Sequence, residues 1–478
     1  MSDLERFCLI ALVLLSYGLL CTYCIWRNRS SLQALGVKGK VSLTDIAAKP
    51  SFLVAYASQT GTAAALAQRS GALFDGQLDY QILPLNKVDN EVLSYTTHAL
   101  FVVSTYGEGE PPDNGMAFAA RYLQGSTGID LSHLQFSVLA LGDKLYQQFC
   151  AFGHNLHQGM SQLGAIPLFE PLEACASAGF DSEGLIQEWA QHWRQGVKSP
   201  QSTVPVSTLI SKPLEQKIAK EEFSNWRLVS RSHLNPGSPG APVFHVCLAQ
   251  TTAQPLTWQA GDLIEVAFES SFYQELNTAV KRKYSIASMP QDGVVELIVR
   301  QHINDDGSFG IGSGCLTAKA PLNTELSLRL CDNPLFHGIE PERPMILIGS
   351  GTGLAGLRAH IKQREQQGAR ANWLLFGERS PEHDSLFNNE INTWQQSGVL
   401  SRVDLAFSRD PDSPAYVQDL LFKYAAELRG WIDDGAAIFV CGNRLGMAHG
   451  VDQALQQILD ADSYQGLLSF AHYRRDIY

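Results

Sequence analysis

The sequence predicts an α/β chain in three folded parts behind an apolar N-terminal helix: a doubly wound α/β unit, a β-barrel and a second α/β unit. Three observations carry this. Short apolar runs alternate with amphipathic segments from Ser51 to about Gln195 and again after Pro344, as strands feeding crossover helices do. Between Phe223 and about Pro334 the runs are β-like and broken by Gly and Pro, the pattern of a closed antiparallel unit. Phe7–Trp26 is a twenty-residue stretch without a charge, long enough at about 1.5 Å per residue to cross about 30 Å of hydrocarbon.

Composition narrows the classes. A chain of 478 residues exceeds what one core organises, and 45% hydrophobic with 18% charged residues leaves apolar material for several cores rather than a disordered coil. A formal net charge of −12 with no long Lys or Arg run disfavours a nucleic-acid partner. The nine cysteines are scattered, so neither a disulfide framework nor a metal cluster is indicated, and no metal is expected. Cys21 and Cys24 share the N-terminal stretch, where their spacing reads as small apolar packing.

Residues 1–49 therefore read as a transmembrane anchor and juxtamembrane segment. Arg27, Arg29, Lys38 and Lys40 follow the apolar run while Asp3, Glu5 and Arg6 precede it, so the positive-inside bias predicts a single-pass protein of the plasma (inner) membrane with its bulk in the cytoplasm. In residues 50–196, strands are expected at Ser51–Ala57, Ala99–Ser104 and Gln135–Leu141, with helices Ala63–Phe74 and Cys150–Leu163. Residues 197–220, rich in Ser, Pro and Val at their start, read as a linker. Residues 221–335 carry the barrel, with strands at Val243–Ala249, Leu263–Phe268 and Val294–Arg300. Residues 336–478 form the second α/β unit, with strands at Met345–Gly349, Asn372–Phe376 and Ala437–Cys441.

The motifs sit where such folds gather ligands. Ser58-Gln59-Thr60-Gly61-Thr62 joins the first strand to a helix, and a hydroxyl-rich loop at a helix N-terminus suits a phosphate as well as it suits a capped helix. Thr105-Tyr106-Gly107-Glu108-Gly109-Glu110-Pro111-Pro112-Asp113-Asn114 and Leu141-Gly142-Asp143-Lys144-Leu145-Tyr146 follow other strands of the same sheet. Tyr106 and Tyr146 could sandwich a planar ring, or simply pack. Arg282-Lys283-Tyr284-Ser285 offers a cation, an aromatic and a hydroxyl on a barrel strand, and Gly312-Ser313-Gly314 lies downstream. Gly349-Ser350-Gly351-Thr352-Gly353 joins a strand to a helix, a turn that lets backbone approach a pyrophosphate.

Together these runs resemble the diflavin reductase family, the NADPH-hemoprotein (cytochrome) reductases and the sulfite reductase flavoprotein subunits. The first unit resembles their flavodoxin-like domain and the rest their ferredoxin-NADP-reductase-like module, with R-x-Y-S at Arg282–Ser285 and G-x-G-T-G-x-A at Gly349–Ala355. The resemblance implies three cofactors. FMN would be held by Ser58–Thr62, Thr105–Gly109, Leu141–Asp143 and Tyr146, and FAD by Arg282, Tyr284, Ser285, Gly312, Ser313, Gly314 and the C-terminal Tyr478. NADPH would be held by Gly351, Thr352, Gly353, Arg379, Ser408, Arg409, Tyr416 and Gln418. Ser285, Cys441, Asp476 and Tyr478 take the catalytic positions by the same resemblance, and a heme protein or another iron-containing acceptor is implied as partner. Departures from the family pattern are Gly356 for a usual Pro, Pro414 for a usual Lys, and no acidic run at Glu173-Ala174-Cys175-Ala176. A further one is the interval of nineteen residues, Leu263 to Lys281, where long members insert a connecting domain. The alternatives are a ferric or flavin reductase with a small-molecule acceptor, and a flavin-binding membrane sensor that no longer turns over NADPH.

Overall fold

The computed structural model describes residues 51–478 apart from residues 60, 75–78, 107–108, 124–127, 145–147, 176–180, 197–222, 252–256 and 269–279. The first sheet is parallel and built from β1 (Phe52–Ala57), β2 (Tyr80–Pro84), β3 (His98–Ser104), β4 (Gln135–Gly142) and β5 (Ile166–Pro167), in the order β2-β1-β3-β4-β5. A further short strand, β6 (Leu172–Cys175), pairs with β4 beyond β5. That order is flavodoxin-like, and it reverses direction between β1 and β3, which opens a crevice at their carboxyl ends. Both faces of the sheet are covered. Helices α1 (Thr62–Ala72) and α4 (Ser182–Gly196) bury one face, with Trp189 wholly inside and its indole N–H donating to Ser137 Oγ at 2.9 Å. Helices α2 (Asp113–Phe118) and α3 (Ala151–Gln162) bury the other with Phe118, Phe152 and Leu156.

The second sheet is antiparallel and six-stranded, ordered β10-β9-β12-β7-β8-β11. Its strands are β7 (Ser224–His233), β8 (Val243–Gln250), β9 (Leu263–Phe268), β10 (Val280–Ser285), β11 (Val295–Arg300) and β12 (Glu325–Cys331). Alternate residues of these strands, among them Trp226, Val246, Val266, Leu297 and Leu328, meet in one interior cluster, as the period of two requires. The short interval at Leu263–Lys281 is explained here: β9 and β10 pair antiparallel, with Val280 opposite Phe268 and Ser285 opposite Leu263. The two strands flank residues 269–279, which lie outside the described residues.

The third sheet is parallel, ordered β15-β14-β13-β16-β17. Its strands are β13 (Met345–Ser350), β14 (Asn372–Glu378), β15 (Arg402–Phe407), β16 (Ala437–Gly442) and β17 (Tyr473–Ile477). The order turns back between β13 and β16, so a second crevice opens beside Ser350 and Cys441. Helices α5 (Leu354–Gln366), α6 (Asn388–Gln396), α7 (Val417–Lys423), α8 (His449–Ile458) and α9 (Ala461–Ser469) surround it. Cys441 lies opposite Asp476 in the β16–β17 register, and β17 is an edge strand.

Phe7–Trp26, the expected membrane span, lies outside the described residues, and among the described residues no helix is long and apolar enough to cross a membrane.

Candidate functional site

At the first crevice, β1 ends in Ser58, whose N–H donates to Asn114 Oδ1 at 3.0 Å and whose hydroxyl accepts from Ala63 N at 3.1 Å. Gly61 turns the chain into α1 at φ 82°, a left-handed conformation that glycine adopts without strain. No side chain caps α1 at Gly61, and a Cβ there would meet nothing within 4 Å, so the helix start beside Thr62 opens onto free space. A helix N-terminus that takes one hydroxyl cap, from Ser58 to Ala63 N, and is otherwise open beside Gly61 fits the phosphate of FMN. The next two loops are tied together: Thr105 N donates to Leu141 O at 2.7 Å, and Phe152 N to Thr105 Oγ1 at 3.2 Å. Tyr106 and Glu110 form an antiparallel bridge that folds back through Gly109, at φ 110°. Leu141 and Gly142 are buried at the end of β4, and Asp143 follows them part-exposed. Thr60, Gly107, Glu108 and Tyr146 lie outside the described residues, so of the two expected aromatic walls the structure describes Tyr106.

On the second sheet, Arg282 and Tyr284 share one side of β10 and Ser285 is buried at its end. A Cβ on Gly312 would come within 2.6 Å of the Tyr284 hydroxyl and 2.9 Å of Arg282 Cγ, so bare backbone lies against both side chains. Ser313 Oγ accepts from His302 N at 3.0 Å, and Gly314 packs on Phe309. The exposed Arg282, with glycine backbone packed close against it, fits the diphosphate of FAD.

In the third sheet, Gly351-Thr352-Gly353 links β13 to α5, and any Cβ on Gly353 would collide with the Cys441 carbonyl. Arg300 pairs with Glu378 at 2.8 Å through Nη2, its buried Nη1 has no hydrogen-bond partner among the described residues, and the group lies against Gly351. An unspent cationic donor at this loop fits a pyrophosphate. Ser408 N donates to Glu378 O at 2.9 Å and Arg409 N to Arg379 O at 2.8 Å, which sets the two arginine residues on adjoining backbones. Exposed Tyr416 precedes α7, and Gln418 rests on Gly450 of α8. With Pro414 in place of Lys, Arg379 and Arg409 are the cations of this segment that could suit a 2′-phosphate.

Ser285, Cys441 and Asp476 come from strands far apart in sequence and meet in one buried cluster. Ser285 Oγ donates to Asp476 Oδ2 at 2.6 Å, and Cys441 Sγ lies 3.7 Å from the same oxygen. Burial pushes the Asp476 carboxyl up to about 6, against the hydrogen bonds from Ser285 and Cys441, with the Asp113 charge adding to the rise. Burial, then the Asp476 charge, lifts the Cys441 thiol well above its usual range, so it stays protonated. Gly356 accounts for one departure from the family: a Cβ there would press within 3.1 Å of Cys441 Sγ and of Phe336. Tyr478 is half exposed at 52%, its N–H donates to Gly442 O at 3.1 Å, and its hydroxyl donates to Thr352 Oγ1 at 3.0 Å.

Sequence reasoning missed what holds this cluster from outside. Asp113 accepts from Arg475 N at 2.7 Å and Arg475 Nε at 2.8 Å, while Gln59 Nε2 donates to Arg475 O at 2.7 Å. Tyr106 donates its hydroxyl proton to Ile477 O and accepts from Ile477 N at 3.0 Å. Burial, the largest influence, opposes the Arg475 charge, and Asp113, Tyr473 and Asp452 together outweigh it. Asp113 was visible within its motif, yet nothing in the sequence pairs it with a residue 362 positions away.

Comparison with known proteins agrees with this architecture. The flavodoxin family matches residues 54–189, and the oxidoreductase NAD-binding domain family matches residues 347–453. The sulfite reductase (NADPH) flavoprotein alpha-component of Vibrio parahaemolyticus is 26% identical over 91% of this chain and 88% of its own length. Its Bacillus subtilis counterpart is 26% identical over 89% of each chain, and that of Thiocapsa roseopersicina 28% identical over 86% of this chain and 84% of its own. The expectation of a single-pass plasma-membrane protein with cytoplasmic catalytic domains is corrected by these findings: the relatives carry the names of sulfite reductase components, and no described helix can span a bilayer. The two matched families, the relatives that extend over most of the chain and the three phosphate-suited loops lead to one conclusion: the chain resembles the diflavin reductases over most of its length and is an NADPH-dependent flavoprotein reductase with FMN, FAD and NADPH as its cofactors.

Proposed function

We propose that this reductase relays electrons from NADPH through FAD on the second sheet to FMN on the first, and from there to a heme protein or another iron-containing acceptor. The observation that carries the reading is the Ser285–Asp476–Cys441 cluster, closed by a hydrogen bond of 2.6 Å at the crevice of the third sheet. The parts are residues 50–196 for FMN, 197–220 as linker, 221–335 for FAD and 336–478 for NADPH. When bound, NADPH would supply a hydride, FAD would accept the electron pair and FMN would pass electrons on singly. The name of the relatives, flavoprotein component of a sulfite reductase, supports a protein acceptor.

Each residue then has a task. Asp476 is ionised at neutral pH, since its carboxyl titrates near about 6, and its charge favours the positive ring that forms as hydride departs. Ser285 and the protonated Cys441 hold that carboxylate in place. Tyr478 is held by one backbone and one side-chain hydrogen bond among the described contacts, so its ring can cover the flavin and yield to the nicotinamide. Arg282 and Tyr284 hold the FAD diphosphate, Arg300 and the Gly351–Gly353 loop the NADPH pyrophosphate, and Arg379 and Arg409 the 2′-phosphate. Ser58 to Thr62 hold the FMN phosphate and Tyr106 one face of its ring.

The test is flavin analysis of the purified chain followed by rapid mixing with NADPH or NADH. One FMN and one FAD per chain, bleached faster by NADPH, are expected. A colourless preparation, or bleaching by NADH alone, overturns the reading.

A further inference from the structure

We propose that Asp113 and Tyr106, on the flavodoxin-like part, are positioning residues for NADPH oxidation in the third sheet: they grip the free edge of β17 and so set Asp476 against Ser285. This rests on the function proposed above. Residues of a strand point their N–H and C=O alternately to its two sides, so in β17 Arg475 and Ile477 face outward while Asp476 faces β16. An edge strand ordinarily leaves those outward groups to water or to another strand. Here all four are taken by side chains of the first part. Arg475 N donates to Asp113 Oδ2 at 2.7 Å and Arg475 O accepts from Gln59 Nε2 at 2.7 Å, while both backbone groups of Ile477 bind the Tyr106 hydroxyl.

The grip is itself braced. Gln59 Oε1 accepts from Asp113 N at 3.0 Å, its Nε2 donates to Asp113 Oδ2 at 3.2 Å, and the Arg475 guanidinium closes on Asp113 Oδ1 at 2.8 Å. Asp113 and Arg475 are both buried, so the pair is little screened by solvent. Burial, with the Asp476 and Asp113 charges, lifts the Tyr106 phenol well above its usual range, so it remains a donor at every working pH. The residue between the two gripped positions is Asp476, and the one after them is Tyr478. Side chains of one part thus imitate a sixth strand for the other, and docking of the flavodoxin-like part fixes the residues that meet the nicotinamide.

The full chain is compared with Tyr106→Phe, which keeps an aromatic face and loses the hydroxyl, and with Asp113→Ala. Three quantities are read: flavins per chain, amide exchange of the 473–478 segment, and NADPH-driven bleaching as a function of NADPH concentration. Both variants should keep FAD and exchange that segment faster. Their limiting bleaching rate should fall about tenfold, with the half-saturating NADPH concentration within about twofold of the parent, because misalignment slows a transfer more than it weakens binding. Unchanged exchange in Tyr106→Phe, or faster exchange with an unchanged limiting rate, overturns the proposal. A colourless parent chain would instead defeat the flavin reading, and the exchange comparison would still decide whether the grip exists. If Asp113→Ala fails to fold, Tyr106→Phe alone decides.

Discussion

The two crevices of the molecule are built on opposite principles. At the turn between β1 and β3 the chain keeps space: Gly61 is left-handed, a Cβ on it would touch nothing, and the polar side chains of Gln59 and Asp113 reach across to another part of the molecule. At the turn between β13 and β16 the chain removes space, with Gly353 pressed on the Cys441 carbonyl and Gly356 on its sulfur. The difference teaches that one loop chemistry, a Gly-bearing turn at the end of a parallel strand, can serve either an open mouth or a tightly packed wall. Which it serves is set by what lies on the far side of the glycine.

Substitutions can break that contrast. The largest effect is expected from Gly353→Ala, whose methyl group would meet backbone with no room to yield; a loss of about 3 kcal/mol in urea unfolding checks it. Next is Asp476→Asn, which should slow flavin reduction by NADPH about a hundredfold and remove the acid limb of the rate profile near about pH 6. Its stability should move the other way. A carboxyl raised on folding contributes stability that is present below its ordinary value and is lost as pH rises through about 6. The amide variant should therefore be no less stable than the parent in denaturant titrations at pH 8. A smaller effect is expected from Arg409→Ala, which should raise the KM for NADPH about tenfold while leaving that for NADH unchanged, since a charge-assisted contact to the 2′-phosphate is lost. Smallest is Gly61→Ala, where only the left-handed backbone objects: about 1 kcal/mol by the same unfolding measurement, with FMN retained.

Much of the fold was legible because its signals are local. The runs at Phe52–Ala57, Met345–Ser350 and Ala437–Gly442 have the apolarity of strands buried on both faces, and the loops after them carry the glycines and hydroxyls that phosphates require. Cys441 and Asp476 were legible as motif residues, and register explains their meeting. The grip on β17 was not legible, because Arg475 looks like any charged residue near a terminus and its partner Asp113 like any residue after a Pro-Pro turn. Ion pairs between remote segments leave no period and no spacing to read. The apolar N-terminal stretch misled for the opposite reason, since a strong local signal was given a meaning that only its surroundings could supply.

The side-chain cover on β17 also bears on how the parts of the molecule hold together. A part that left the strand would expose four hydrogen-bonding groups and separate a buried Asp113–Arg475 pair, so those contacts set the cost of parting. On the relay proposed above, the flavodoxin-like part that would pass electrons onward is the same part that holds this strand, so one edge contact would link the two tasks.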